Sequence, residues 1–381
     1  MKVMIVVTHL LGSGHLARAL ILARAFQDAG HRATVVSGGM PVPVLDRGDV
    51  PIVQLPPVRS DGVNFTRLLD AKGASVDQAA QEARKAQLLH QIDRIGPDVL
   101  ITELYPFGRR VLQSEFTALL QAADQTAEPP LICASVRDIL APPSSPAKAD
   151  RTHGVLARYY DAVLVHADPH VTPLDASWPV SDGLRPKLHY TGFMAPTDAA
   201  PYRQGAGEGE IIVSAGGGDV GAHIFEATLR AARAARADGR LWRLLVGGAQ
   251  PEARLRQLRE NAPANVIIEA TRPDFRALLH RAAASVSMCG YNTAIDILQA
   301  GCRSVFIPFD AGDEVEQTIR ATALARLPGI EVLRSADLTG ETLLNALRAL
   351  RHAPDRGPAL SGFDGARETV RIVAALRAQR A

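Results

Sequence analysis

Two segments of the chain share a local pattern that restricts the fold more than any other feature. Residues 3–7 form an apolar, β-branched run, which a glycine turn and a stretch of helically spaced apolar residues follow. The same succession recurs at residues 211–214, with a helix predicted over residues 222–237. The turns contain Gly12 and Gly14 in the first copy, and Gly216, Gly217, Gly218 and Gly221 in the second. A buried strand that enters a helix through glycines is typical of parallel, doubly wound α/β sheets.

Further apolar runs extend each copy into a sheet of its own. They predict strands at 99–101, 131–133 and 162–165 in the first half, and at 242–246, 266–268, 284–287 and 304–307 in the second. A chain of 381 residues favours two domains at roughly 150 residues each. Residues 195–210 are rich in Pro, Gly and polar residues, as an interdomain linker is. The sequence therefore predicts an α/β fold with Rossmann-like, doubly wound domains over residues 1–194 and 211–362.

The charge balance and the cysteine content exclude several classes of protein. Lysine and arginine number 42 against 40 aspartates and glutamates, a net charge of +2, so no nucleic-acid partner is predicted. Cys133, Cys289 and Cys302 are too scattered for a disulfide framework or a zinc site. The sequence has no secretory signal and no apolar run of the roughly 20 residues that span a bilayer. We therefore expect a cytoplasmic protein, either free or peripheral to the inner face of the membrane.

The two glycine turns suit a phosphate group. A turn that opens a helix after a buried strand directs backbone N–H groups outward at the positive end of the helix dipole. Neither turn completes G-x-G-x-x-G, and the second strand ends at residues 37–39 without the acidic residue that binds the ribose of NAD. No G-K-[ST] follows either turn, which excludes a P-loop. A dehydrogenase and a P-loop NTPase are therefore both disfavoured.

Motifs in a fixed order along the chain carry a family resemblance. They are the first glycine turn with His15, the second glycine turn, and the set Gly290, Tyr291, Asn292, Thr293, Asp296 and Gln317. In this order they resemble those of the MurG-like glycosyltransferases of the GT-B superfamily, over nearly the whole chain. The resemblance implies two Rossmann-like domains that face a cleft, the first binding mainly an acceptor and the second a nucleotide-sugar. It also implies that the last helix, within residues 363–381, crosses back to the first domain.

The second half contains the predicted donor site. After the strand at 284–287, a helix begins whose free N–H groups suit a diphosphate, with the Thr293 hydroxyl as a further donor. Asp296 lies about one turn into that helix, where a carboxylate can accept both ribose hydroxyls or only complement the helix dipole. The resemblance favours ribose binding. It also implies that Glu316 and Gln317 contact the donor sugar, although acidic residues at the start of a helix also serve as caps.

Three residues of the first half are candidates for the general base. His15 lies at the start of the first helix, where the dipole lowers its pKa, so the neutral ring can accept a hydroxyl proton, hold an acceptor phosphate or simply pack. Glu103 and Asp138 are the alternatives, because ligands of such sheets bind beyond the strand ends. Arg109 is expected to form a surface ion pair. Residues 135–138, Ser-Val-Arg-Asp, depart from the His-Glu-x-Asn pattern of MurG, which puts a lipid-linked muropeptide acceptor in doubt.

The sequence predicts neither a metal nor a cofactor. It has no Asp-x-Asp motif, and a helix-breaking Asp168-Pro169 separates His166 from His170. The predicted activity is inverting transfer of a hexose or N-acetylhexosamine from a UDP-sugar to an unidentified acceptor. Lipid linkage of that acceptor and peripheral membrane contact stay open. A nucleotide-sugar epimerase or hydrolase on the same fold, or a non-catalytic sugar-nucleotide-binding subunit, are the alternatives.

Overall fold

The chain divides into two compact units. The computed structural model describes residues 1–43, 45–60, 67–195, 205–215, 220–248, 251–312, 314–354 and 362–380. Unit 1 comprises Met1–Met194 together with Asp364–Ala381, and unit 2 comprises Ala195–Phe363. The C-terminal segment thus belongs to the same unit as the N-terminus.

Each unit contains one parallel sheet. The seven strands of unit 1 are β1 (Lys2–Val7), β2 (Arg32–Ser37), β3 (Ile52–Gln54), β4 (Val99–Glu103), β5 (Leu131–Arg137), β6 (Ala162–His166) and β7 (Leu188–Tyr190), in the order β3-β2-β1-β4-β5-β6-β7. The six strands of unit 2 are β8 (Ile211–Ser214), β9 (Trp242–Val246), β10 (Val266–Ala270), β11 (Ala284–Ser287), β12 (Ser304–Phe306) and β13 (Ile330–Val332), in the order β10-β9-β8-β11-β12-β13. In each sheet the chain adds strands first on one side of the initial strand, β1 or β8, and then on its other side, as in doubly wound sheets. The predicted α/β fold is confirmed.

Helices connect the strands of both sheets. The described residues form α1 (Gly14–Asp28), α2 (Gln78–Ile95), α3 (Gln113–Asp124), α4 (Pro146–Tyr159), α5 (Ala222–Ala234), α6 (Pro251–Glu260), α7 (Phe275–Leu279), α8 (Tyr291–Gln299), α9 (Glu316–Leu324), α10 (Gly340–His352) and α11 (Gly365–Arg380). Because parallel strands need a crossover connection, helices cover the sheets. Central strands such as β1 and β4 are therefore buried along nearly their whole length.

The core of each unit lies between its sheet and the helices that cover it. In unit 1, the β1 side chains Val3 and Ile5 pack in one cluster with Phe26 of α1 and Val373 of α11. Helix α11 therefore completes the core that α1 begins. In unit 2, Trp242 of β9 belongs to a second cluster that α5 and α10 help to form. All strands of a sheet run in the same direction, so their carboxyl ends lie along one edge, where the candidate residues lie.

Candidate functional site

In unit 1 an ionic cluster lies at the carboxyl edge of the sheet. Glu103 is the last residue of β4, and His15 lies in the first turn of α1. The His15 Nδ1 atom is 3.0 Å from Glu103 Oε1, and Arg18, one turn further along α1, forms an ion pair with the same oxygen. The side chains of Glu103 and Arg18 are only 3% and 5% exposed, against 13% for His15. The structure thus brings two of the three predicted base candidates into direct contact.

The contact with Glu103 favours one tautomer of the neutral His15 ring. An ionised carboxylate only accepts hydrogen bonds, so the 3.0 Å approach of Oε1 favours a proton on Nδ1. Arg18 Nη2 lies equally close to Nδ1, but it donates a hydrogen bond to Glu103 Oε1, and the carboxylate balances the charge of the guanidinium. In the neutral ring Nε2 is then the atom with the lone pair. His15 therefore offers a proton acceptor at Nε2.

Burial and neighbouring charges keep His15 neutral and Glu103 ionised. Burial lowers the pKa of His15 to about 3, against the opposing effect of its hydrogen bond to Glu103. For Glu103 burial alone raises the pKa, but Arg18, His15 and Ser135 outweigh it and hold the pKa well below its usual range. Burial is thus the main physical reason why the imidazole of His15 is neutral, as expected from the sequence.

Arg109 corrects the expectation of a surface ion pair. Its side chain is half-buried, donates through Nε to the carbonyl oxygen of Thr8, and forms no ion pair with any residue that the structure describes. Burial lowers its pKa to about 10, with Glu103 opposing and Arg137 and Arg18 adding to that shift. Arg109 also has a left-handed backbone, with φ of 61°. Such backbone strain in a non-glycine residue concentrates at functional sites.

The third base candidate and the first glycine turn lie on the same edge. Asp138 follows β5, is buried, and accepts the Ile139 N–H at 2.7 Å through Oδ1. Gly12 has a φ of 59°, in the left-handed region, and nothing lies within 4 Å of where its Cβ would be. Gly14 is the first residue of α1. Gly12 thus has a conformational reason to be glycine.

The second glycine turn is described only at its end. Gly216, Gly217 and Gly218 lie outside the described residues. Gly221 caps the N-terminus of α5 with a φ of 97°, and a Cβ there would lie 2.4 Å from the Cβ of Ala215. Real Cβ atoms do not approach so closely, so packing and conformation both require glycine at this position.

In unit 2 the N-terminus of α8 presents the predicted phosphate-binding turn. Among the described residues, Gly290 provides no side-chain cap, and the first turn of α8 contains no acidic residue. Nothing lies within 4 Å of the direction in which a Gly290 Cβ would point. Tyr291 is buried, Asn292 is exposed and Thr293 is half-buried. An uncapped helix start with space beside it suits an anion.

Asp296 has a cationic partner within unit 2. Its Oδ1 lies 3.1 Å from Nε of Arg276, which α7 supplies. Burial raises the pKa of Asp296 to about 6, although Arg276 opposes that shift. An ion pair therefore already accounts for this carboxylate, and ribose binding at Asp296 stays a prediction.

Glu316 and Gln317 also have partners in their own unit. Gln317 Oε1 accepts the Phe309 N–H at 3.1 Å, which orders the loop after β12. Glu316 lies 3.1 Å from Nη2 of Arg320, a fully buried residue that donates to the Cys289 carbonyl oxygen at 2.9 Å. Arg320 thus links the start of α9 to the loop before α8. Contact of Glu316 and Gln317 with a sugar stays a prediction.

The sequence reasoning missed two arginines that organise these sites. Neither Arg18 nor Arg320 was predicted to belong to a site, because arginine is rarely buried. Helical spacing was the available signal, since Arg18 follows His15 by three residues and Arg320 follows Glu316 by four, so each pair shares one helix face.

Two further features bear on ligands and membranes. In the described part of the chain, no three or more His, Cys, Asp and Glu side chains are grouped as metal ligands would be. Of the helices described, none combines the length and apolar character that crossing a bilayer requires.

Solved structures share this fold. The chain aligns over 99% of its length with all of MurG from Acinetobacter baumannii, at 17% identity and a TM-score of 0.60. It aligns over its whole length with all of the glycosyltransferase VinC, solved with dTDP, at 18% identity and a TM-score of 0.62. The spinosyn forosaminyltransferase SpnP gives a TM-score of 0.63 at 16% identity, with 99% of each chain covered. The two units therefore form a GT-B fold.

Sequence comparison finds glycosyltransferases that resemble part of the chain. Residues 212–361 match the model of the glycosyltransferase family 28 C-terminal domain. The UDP-N-acetylglucosamine--N-acetylmuramyl-(pentapeptide) pyrophosphoryl-undecaprenol N-acetylglucosamine transferase of Brucella suis is 27% identical over 161 residues, 42% of each chain. Its Levilactobacillus brevis counterpart is 35% identical over 80 residues, 21% of this chain and 22% of that protein. The match thus spans less than half the length of these curated relatives. Together with the GT-B fold, these partial matches support a MurG-like glycosyltransferase, the resemblance that the motifs of the sequence predicted.

Proposed function

We propose that the chain is an inverting glycosyltransferase that transfers a sugar from a UDP-sugar to a hydroxyl group of an acceptor. The observation that carries the proposal is the 3.0 Å contact between His15 Nδ1 and Glu103 Oε1, which leaves Nε2 as the proton acceptor. The family supports the donor class, because the curated relatives are named for UDP-N-acetylglucosamine. The sugar is therefore a hexose or, by this analogy, N-acetylglucosamine.

The reaction is a single displacement. The acceptor hydroxyl passes its proton to His15 Nε2 as its oxygen attacks the anomeric carbon. The bond between that carbon and the diphosphate breaks, the electron pair leaves with UDP, and attack from the opposite face inverts the configuration. Glu103 stabilises the imidazolium ion that forms, while Arg18 keeps the carboxylate ionised. No step requires a metal.

The donor site in this proposal is the carboxyl edge of the unit 2 sheet. The uncapped start of α8 at Gly290 receives the diphosphate, since helix N-termini bind anions and stabilise developing negative charge. Asp296 accepts the ribose hydroxyls through Oδ2, while its Oδ1 lies 3.1 Å from Arg276 Nε. Gln317 contacts the sugar through its amide nitrogen, because its oxygen already accepts the Phe309 N–H.

The acceptor is proposed to bind to unit 1 and to carry an anionic group. Arg109, half-buried and without an ion-pair partner among the described residues, supplies charge for it. The lipid-linked acceptor named for the curated relatives fits this chemistry, and it would place the protein at the inner face of the membrane as a peripheral protein.

Acceptor-dependent release of UDP tests the proposal. The protein is incubated with UDP-N-acetylglucosamine, with and without membrane lipid extract, and free UDP and glycosylated lipid are measured. If the protein is a transferase, UDP should be released only when an acceptor is present. A His15→Gln variant should lose about 10²- to 10⁴-fold in rate, while His170→Gln, at an exposed histidine, should not change it. Donor turnover without an acceptor would indicate a hydrolase or epimerase, and donor binding without turnover a non-catalytic subunit.

A further inference from the structure

The carboxylate of Glu103 has a second oxygen that His15 and Arg18 do not use. Ser135, on the neighbouring strand β5, donates its hydroxyl to Oε2 at 2.5 Å. Glu103 and Ser135 are directly opposed in the parallel pairing of β4 and β5, which explains why their side chains meet. Ser135 is itself fully buried, so the contact is shielded from water.

Two more side chains continue from Ser135. His166, at the end of β6, places Nε2 2.9 Å from the Ser135 hydroxyl and Nδ1 2.9 Å from the hydroxyl of Thr191, which follows β7. Ser135 pairs with Leu164 in the sheet, and His166 lies two residues further along, on the same face. Both His166 and Thr191 are buried. A continuous chain of polar side chains thus runs from Thr191 to His15.

Each hydrogen bond of this chain has only one consistent direction. The Ser135 hydroxyl must donate to Glu103, because a carboxylate only accepts. Its oxygen therefore accepts from His166, which carries its proton on Nε2. Burial lowers the pKa of His166 to about 3, so the ring is neutral and Nδ1 can only accept. The Thr191 hydroxyl lies 2.9 Å from both Nδ1 and the Gly192 carbonyl oxygen, and in the hydrogen-bonded chain its one proton goes to Nδ1. All donors point toward Glu103, and the single charge of the chain is its carboxylate.

We propose that Ser135, His166 and Thr191 are positioning residues that orient the Glu103 carboxylate and thereby fix His15 in the tautomer with a free Nε2. With Oε2 held by Ser135, the carboxylate cannot rotate, and Oε1 stays directed at His15 Nδ1. Without this bond, Arg18 Nη2, 3.0 Å from Nδ1, can donate to it and favour the opposite tautomer. Burial of three polar side chains next to an ion pair costs more free energy than burial of apolar side chains of similar size. A positioning role gives a reason for polar residues at these three positions. The kinetic consequence rests on the proposed function, but the tautomer does not.

Nitrogen NMR of the full chain labelled with ¹⁵N-histidine tests the proposal directly. In the wild type we expect His166 to be protonated at Nε2 and His15 at Nδ1. Ser135→Ala should leave His15 in a mixture of tautomers. The matched control is Ser37→Ala, which removes an equally buried hydroxyl at the end of β2 that has no described partner. A His166 protonated at Nδ1, or a His15 tautomer unchanged by Ser135→Ala, would overturn the proposal.

Kinetics separate this proposal from the proposed function. If both hold, Ser135→Ala lowers kcat about ten- to hundredfold, the effect of one charge-assisted hydrogen bond, with the donor KM unchanged. Ser135→Thr retains the hydroxyl and should restore both kcat and the His15 tautomer. Tautomers that respond as expected in a protein without transfer activity would support the positioning role and contradict the proposed function. An unchanged kcat together with an unchanged His15 tautomer contradicts the positioning role itself.

Discussion

The same sheet edge is built in opposite ways in the two units. In unit 1 it is filled by buried side chains that bind one another, with Glu103 at the centre of bonds from Arg18, His15 and Ser135. In unit 2 it contains an uncapped helix start and the half-buried Asp296. The first arrangement holds charged groups ready in a fixed geometry, and the second leaves backbone donors and space for a ligand. The contrast matches a division between chemistry in unit 1 and donor binding in unit 2.

The difference also has an energetic side. A buried ion pair gains little over well-packed apolar residues, whereas the removal of one partner is costly because the other charge stays buried. Unit 1 is therefore expected to depend on its polar edge for stability. In unit 2 the ion pair of Asp296 with Arg276 is more exposed, at 16% and 22%, although Arg320 beside Glu316 is buried.

The largest expected effect is that of Glu103→Gln in unit 1. It leaves Arg18 buried without its counter-charge, so the free energy of unfolding should fall by about 3–5 kcal/mol in urea denaturation. The control is Glu82→Gln, which breaks the surface ion pair with Lys85 and should cost under about 1 kcal/mol. A loss for Glu103→Gln no larger than that of the control would mean that the ionic cluster does not hold the edge together.

Acid should destabilise unit 1 before carboxyl groups titrate. The pKa values of His15 and His166 are about 3 in the folded state, against 6.5 as the ordinary value. As the pH falls below 6.5, the unfolded chain binds protons that the folded chain does not, so stability present at neutral pH is lost. Between pH 6.5 and 4.5 each histidine should cost about 2 kcal/mol. The comparison of wild type with His166→Asn in urea titrations should show a shallower pH dependence for the variant, and parallel curves would contradict the buried neutral histidine.

Donor affinity should respond to unit 2 alone. Asp296→Asn removes a charged acceptor and should weaken UDP binding about ten- to a hundredfold in calorimetry, whereas His15→Gln should leave it unchanged. Because the pKa of Asp296 is raised to about 6, UDP binding should strengthen as the pH rises through 6 and the carboxylate ionises. Equal losses in the two variants would remove the proposed division between the units.

The smallest effects distinguish a structural glycine from a ligand-facing one. Gly221→Ala should lower the free energy of unfolding by about 1–3 kcal/mol, because of its positive φ and its approach to Ala215. Gly290 has a φ of −65° and open space, so Gly290→Ala should change stability by less than about 0.5 kcal/mol. Its effect should appear in UDP affinity instead. A Gly290→Ala variant with normal UDP binding would exclude close approach of the diphosphate at that position.

Strong periodic patterns predicted much of the fold. The predicted strands 211–214, 242–246 and 284–287 match β8, β9 and β11, because buried parallel strands are unbroken apolar runs. Strands β3, β7 and β13 were not predicted, because each has only three residues, too few to show a hydrophobic period. The stretch from residue 222 was predicted as a helix to 237, but α5 ends at Ala234.

The candidate site was less accessible from the sequence. His15 stood out at the start of the first helix and Glu103 at the end of a strand, and the structure joins them. Arg109 was misjudged, because the sequence does not show whether an arginine meets a carboxylate. Ser135, His166 and Thr191 are far apart in the chain, and only the register of adjacent strands brings them together.

The central claim is that His15 and Glu103 act as one unit in the transfer of the acceptor proton. A double-mutant cycle of transfer rates tests it, with His15→Gln, Glu103→Gln and the double variant measured at saturating donor under conditions where all are folded. Residues that act as a unit are strongly non-additive, so the double variant should be no slower than His15→Gln alone. Rate losses that multiply in the double variant would show that the two side chains act independently and would contradict the account.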